Sequence, residues 1–330
     1  MKTKQYLLFA VLALIFFSCY KDISLESYRP EPELVMNGVV TTDTSVMVSI
    51  SRTKFFTDTN PYEVVQDADV YLFVNGDLRE QMRWTTNDSF YGGGVYMSDY
   101  QPETGDKIKV RATTKYGEVW AEETVPKKPA IEAIDVSYRL IYDHKSLGTL
   151  EDGTFGEIPT MEITYRITFT DAADIADFYF VRIDNPNPGQ IEVAGNFDYS
   201  SDPVFQEQVS VVDGLFGGNE IGGQGGRAFT DKLIDGQRYA LIVRESQSSV
   251  AYDFEPGLAR RIRLYAITES YYNYLTSMQT AVDAADMASL STFGFAEPVR
   301  IYTNIQGGVG ILAVSRYDSK ILDLHDVFRE

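Results

Sequence analysis

The chain has one cysteine, Cys19, and two histidines, His144 and His325. A single thiol cannot close an intramolecular disulfide. So few thiols and imidazoles also exclude structural zinc in its usual Cys/His coordination. A serine–histidine–acid triad would need one of the two histidines. Both sit in polar stretches, Tyr142-Asp143-His144-Lys145 and Asp323-Leu324-His325-Asp326, that read as solvated surface. Positive charge is scarce: 29 Lys and Arg stand against 48 Asp and Glu, a formal net charge of −19. With no basic cluster, nucleic acid and anionic lipid surfaces should repel the chain. After Phe17 no apolar run approaches the roughly 20 residues of a membrane-spanning helix.

The one long apolar run lies at the start. Lys2 and Lys4 precede twelve mostly apolar residues, Tyr6 to Phe17, and then Ser18-Cys19. At ~1.5 Å per residue such a run is too short for a comfortable span, and it reads as the core of a signal peptide over 1–18. Phe16-Phe17-Ser18-Cys19 is similar to a bacterial lipoprotein box, with Phe16 where leucine is more usual. The sequence predicts cleavage before Cys19 and lipidation of that residue. Ordinary secretion with Cys19 near the cut is the alternative. Processing would leave 312 residues (330 minus 18) and remove Lys2 and Lys4. Residues 19–33 read as a lipidated tether, kept extended by Pro30 and Pro32. Lys21-Asp22 and Glu26 are similar to the acidic surface-export signal of some outer-membrane lipoproteins; a plain polar linker would look the same.

The body favours strands, with 22 Tyr and 19 Phe among many Val, Ile and Thr. Val46, Val48 and Ile50 alternate with polar or flexible residues, the period of a half-buried strand. Asn75-Gly76 follows Val70 to Val74 and signals a hairpin. About seven short strands over 34–126 predict an immunoglobulin-like β-sandwich. Pro126-Lys127-Lys128-Pro129 reads as a boundary. A larger β-rich, sandwich-like domain is expected over 130–330. Its strands include Ile131 to Tyr142, Met161 to Phe169, Phe178 to Ile183, Tyr239 to Val243 and a last short one at Gly310 to Val314. Arg261, Arg263 and Tyr265 alternate with Ile262, Leu264 and Ala266. Thr268 can cap one helix from about Glu269 to Ala285, with Tyr271, Tyr274, Leu275, Met278 and Val282 on one face.

Two segments invite a chemical reading. Asp171, Asp174 and Asp177 have a calcium-loop-like spacing, but the loop's glycine and terminal glutamate are missing. A polar turn between strands fits them better, and no metal or cofactor site is expected. The segment Gly214 to Gly226 is glycine-dense, yet neither a lysine nor a helix follows it as a phosphate-binding loop requires. It predicts a contact loop comprising Phe216, Gly217, Gly218, Gly222, Gly223, Gly225, Gly226 and Arg227, while Phe216 and Phe229 at its ends read as core anchors more than as contact residues.

The order of these features resembles a family. It runs from the lipobox cysteine and acidic-Pro spacer through Leu34-Val35-Met36-Asn37-Gly38 and Val48-Ser49-Ile50-Ser51-Arg52 to Val125-Pro126. It continues through Leu264-Tyr265-Ala266-Ile267 and Tyr271-Tyr272-Asn273-Tyr274-Leu275 to Leu312-Ala313-Val314-Ser315-Arg316. Together they resemble the domain-of-unknown-function family 4249 over nearly all of the mature chain. The resemblance implies an outer-membrane lipoprotein, often encoded beside a TonB-dependent transporter, and no catalytic residues. The expected function is therefore non-catalytic: a binding partner of such a transporter, anchored by its lipid and facing the cell surface or the periplasm. A structural or adhesive surface lipoprotein, or a glycan-degrading enzyme with paired carboxylates, are the alternatives.

Overall fold

The computed structural model describes residues 25–60, 62–86, 93–142, 147–149, 154–157, 160–186, 196–208, 226–248, 259–286 and 299–324. Cys19, the expected signal peptide 1–18, both histidines and most of the glycine-rich segment lie outside the described residues. The chain forms two compact units. In the smaller, Arg29 donates to Glu26 at 2.8 and 2.9 Å and to Asp58 at 2.8 and 2.9 Å, and sits 4.7 Å from the Phe55 ring centre. Leu25–Tyr28 is a 3-10 turn. The tether is thus not extended throughout: the prolines begin only at Pro30, and Glu26 is turned back onto Arg29.

The larger unit is mainly β, with one α-helix among its described residues. Its strands are β1 (Leu34–Val40), β2 (Met47–Arg52), β3 (Asp69–Val74), β4 (Asp77–Gln81), β5 (Arg83–Thr86), β6 (Gly94–Met97), β7 (Lys107–Thr114), β8 (Gly117–Thr124) and β9 (Ile131–Ile141). There follow β10 (Leu147–Thr149), β11 (Phe155–Glu157), β12 (Thr160–Thr170), β13 (Phe178–Asp184), β14 (Asn196–Asp198), β15 (Gly226–Thr230), β16 (Arg238–Ser248), β17 (Ala259–Ile267) and β18 (Val309–Asp323). The helix, α1, is Glu269–Asp286. The Asn75-Gly76 hairpin joins β3 to β4, with φ of 55° and 91° as the tight turn requires.

Alternation along the strands makes two sandwiches. In the first, the sheet β4-β3-β7-β8 faces β1, β2 and β6 across one core. Met36, Ile50, Leu72, Ile108 and Val110 fill it, and each is fully buried. In the second, the sheet β14-β16-β12-β9 faces β13, β17 and β15. Ile163, Tyr165, Ile167 and Phe169 on β12 point inward against Tyr179, Val181, Ile262 and Leu264. A buried ion pair crosses this core: Arg260 donates to Glu245 at 2.7 and 3.1 Å, and Tyr165 donates to the same carboxylate at 2.6 Å.

One eight-stranded sheet, ordered β15-β13-β17-β18-β1-β2-β6-β5, supplies a layer to both sandwiches. Its central strand is β18, and it is far longer than the segment 310–314 that sequence marks as apolar. The half Val309–Val314 runs parallel to β1. The half from Ser315 to Asp323 runs antiparallel to β17. Leu312 and Val314 belong to the first core, and the region 34–126 taken alone lacks them. Where β17 does not reach, the Asn304 side chain takes its place: Nδ2 donates to the Leu312 carbonyl and Oδ1 accepts from the Leu312 N–H, both at 3.0 Å.

The helix begins where its cap predicts, with Thr268 Oγ1 accepting from Tyr271 N at 3.4 Å. It packs on the outer face of the β13–β17–β18 sheet, where Tyr272 meets Phe178 at 5.2 Å between ring centres.

Sharing β18 should make the two sandwiches unfold together. Asn304→Ala leaves a buried peptide without partners and should cost about 1–3 kcal/mol. Both tryptophans, Trp84 and Trp120, lie in the first sandwich, so their fluorescence follows it alone. We expect the Asn304→Ala midpoint to fall equally by tryptophan fluorescence and by amide exchange in β12. Separate transitions would show that the sandwiches unfold independently.

Candidate functional site

The outer face of the second sandwich concentrates positive charge on an acidic protein. Strand pairing sets its residues in rows. Phe180, Tyr265 and Tyr317 form one row, Arg182, Arg263 and Ser319 the next, and Asp184, Arg261 and Ile321 the last. Each of these side chains sits opposite a core position on its own strand, since successive strand residues face opposite ways. The inward alternation of Val181, Ile183, Ile262 and Leu264 therefore forces the arginines outward.

Asp184 is the hub. Arg261 donates to both of its carboxylate oxygens, at 2.9 and 3.1 Å. Arg263 donates to Oδ2, and Arg182 Nε stands 3.5 Å from the same oxygen without a hydrogen bond. Three guanidiniums thus share one carboxylate. The Arg263 group lies over Tyr265 and Tyr317, at 5.8 and 6.0 Å from their ring centres, and those rings are 5.1 Å apart. Tyr265 meets Phe180 at 5.6 Å. Burial raises the Tyr265 phenol, while Arg263 and Arg182 pull the other way. Tyr271 on α1 is raised by burial too and feels both Tyr265 and Arg182, so the helix closes one side of this face.

Two residues of the expected contact loop lie beside this face. Phe216, Gly217, Gly218, Gly222, Gly223 and Gly225 lie outside the described residues, but Gly226 and Arg227 open β15. Gly226 pairs with Arg182, and a Cβ there would overlap the Phe180 ring, so glycine lets that ring lie flat beside the arginine row. Arg227 pairs with Val181 on the core face, with its Nε buried and without a hydrogen bond.

The aspartates of 171–177 form the turn between β12 and β13, as their spacing predicts. The fold adds Asp231 and Asp235, about sixty residues on, which sequence spacing does not reveal. Carboxylate oxygens of Asp171, Asp231 and Asp235 lie within 4.8 Å of one another. An all-oxygen group suits a hard cation. The same oxygens already brace two turns, however. Asp171 accepts from Tyr179 OH at 2.6 Å and from Gly236 N at 2.9 Å. Asp231 accepts from Asp177 N at 2.7 Å, and Asp235 from Asp174 N at 3.0 Å.

Burial, with Asp171 and Asp231 nearby, pushes the Asp177 carboxyl up from 3.8 to about 6. Its folded-state value is the higher one, so between these values the native state holds the extra proton and stability falls as pH rises. Asp177→Asn should stabilise the protein near pH 7 by on the order of 1 kcal/mol, read as a higher thermal midpoint, the gain being limited because solvent screens a half-buried group. Near pH 3, where both carboxyl forms are neutral, it should change little. An equal difference at the two pH values would remove the carboxylate as the cause.

Comparison with known proteins gives one family. The family model described as a domain of unknown function, DUF4249, matches residues 20–321. No curated protein matches the chain. The match takes in both sandwiches, α1 and the shared strand β18 as far as Ile321, and it starts at the residue after Cys19; the chain belongs to the DUF4249 family.

Proposed function

We propose that this protein is a non-catalytic, lipid-anchored binding protein of the outer membrane that works as the accessory partner of a TonB-dependent nutrient transporter. The carrying observation is Cys19, the chain's only cysteine, placed directly after a positively charged start and a short apolar run. A lipid there would hold the body at the membrane surface. The body is suited to binding: paired strands present the arginine and tyrosine face, and Gly226 lies at its edge in β15. Scarcity of histidine and cysteine in the sequence favours binding over imidazole or thiol chemistry.

Each buried methylene contributes ~0.8 kcal/mol, and one acyl chain anchors only marginally, whereas the several chains of a bacterial lipoprotein hold firmly. Cys19→Ala should therefore move the protein from the detergent-requiring membrane fraction to the soluble one. A variant that stays membrane-bound through a high-pH wash would disprove the anchor. The wild-type protein solubilised in mild detergent should bring a large β-barrel transporter with it on affinity purification. Recovery of an anchored protein with no transporter would favour a structural or adhesive role.

A further inference from the structure

Among the described residues, three guanidiniums around Asp184 leave a local surplus of two positive charges. A purely structural network would be expected to balance, because partly buried charge without a counter-charge is costly. The ion pair buried inside this sandwich does balance, one Arg260 to one Glu245, and where Arg139 and Arg244 share Glu162 on the opposite sheet both arginines are more exposed than Arg182 or Arg263. Each guanidinium has five N–H donors. Among the described residues, the Nε groups of Arg182 and Arg263 are buried and make no hydrogen bond. The side chains are 24% exposed at Arg182, 17% at Arg263 and 33% at Arg261. They lie low enough to be reached by a small group rather than by a flat protein surface. Tyr265 and Tyr317 stand beside them as apolar walls with hydroxyl donors.

We infer that Arg182 and Arg263, bordered by Tyr265, Tyr317 and Ser319, form a subsite for an oxyanion: the carboxylate or phosphate of a small molecule. Guanidinium presents paired donors whose spacing matches either group, and burial strengthens such charge-assisted bonds. Asp184 holds Arg261 and Arg263 in place and prevents the cluster from collapsing, while Arg182 keeps donors for the ligand. The protein's overall charge of −19 gives anions no general attraction to it, so binding here would report this site and not a diffuse field. The inference rests on the reading of the chain as a binding protein, but the two are tested separately: fractionation and co-purification decide the anchor and the transporter, titration decides the subsite.

The experiment is calorimetric titration of the full chain in detergent with two probes, inorganic phosphate and citrate, at constant ionic strength. One of them should bind saturably with one site per chain, and the responding probe tells phosphate from carboxylate chemistry. Arg182→Gln should weaken that binding at least tenfold with little change in thermal midpoint. Ser319→Glu, which supplies a tethered carboxylate beside Arg263, should abolish binding while raising the midpoint. This second variant decides the matter if Arg182→Gln fails to fold. Absence of saturable binding by either probe overturns the proposal. So does binding that survives both substitutions unchanged.

Discussion

The structure depends on both edges of β18 being hydrogen-bonded along a strand that serves two sandwiches. Its first half pairs with β1, and its second half pairs with β17 on the opposite edge. Neither neighbour covers the whole strand, and a buried peptide group without a partner is expensive. The Asn304 amide completes the first half by imitating a strand peptide at Leu312, and it donates to Glu123 at 2.7 Å as well. That contact ties β18 to the opposing sheet of the first sandwich. The two cores are thereby joined through one continuous hydrogen-bonded layer and not through the Pro126 to Pro129 connection.

Charge is handled differently on the two faces of β17. On the inner face Arg260 meets Glu245 and Tyr165 in a closed set, with donors and acceptor matched inside an apolar core. Removing one partner of such a pair leaves a buried charge without compensation. On the outer face Arg261 and Arg263 join Arg182 around Asp184, and the set stays open on one side. Strand alternation alone separates these two environments by a single residue step.

Much of the fold is legible because β-strands advertise themselves by period. Met161 to Phe169 alternates and forms a strand with its apolar face inward, and the apolar run Phe178 to Ile183 is a strand as expected. Thr268 marks the helix start correctly, since capping is a local interaction. The outer half of β18 escapes notice because Arg316, Asp318, Ser319 and Lys320 put polar groups on both faces, which reads as a tail. Its parallel pairing with β1, far away in the chain, has no local signature. The candidate site is half legible for the same reason. Arg261 and Arg263 are conspicuous on alternate positions, but Arg182 and Asp184 join them only through the pairing of β13 with β17. Asp231 and Asp235 reach Asp171 likewise through tertiary contact.

A shared strand that comes after all the other described strands also fixes an order of events. During synthesis from the N-terminus, β1 and β17 exist before β18 does, each with an unpaired edge that invites strand addition by a second chain. Their eventual partner must cover long sequence separations, which slows pairing relative to local hairpins. The two half-built sandwiches therefore wait together, and the arrival of one segment closes both. Strand invasion at β1 or β17 in that interval is the route by which this architecture would misassemble into dimers. A peptide with the β18 sequence, added while the chain folds, would compete for the same two edges.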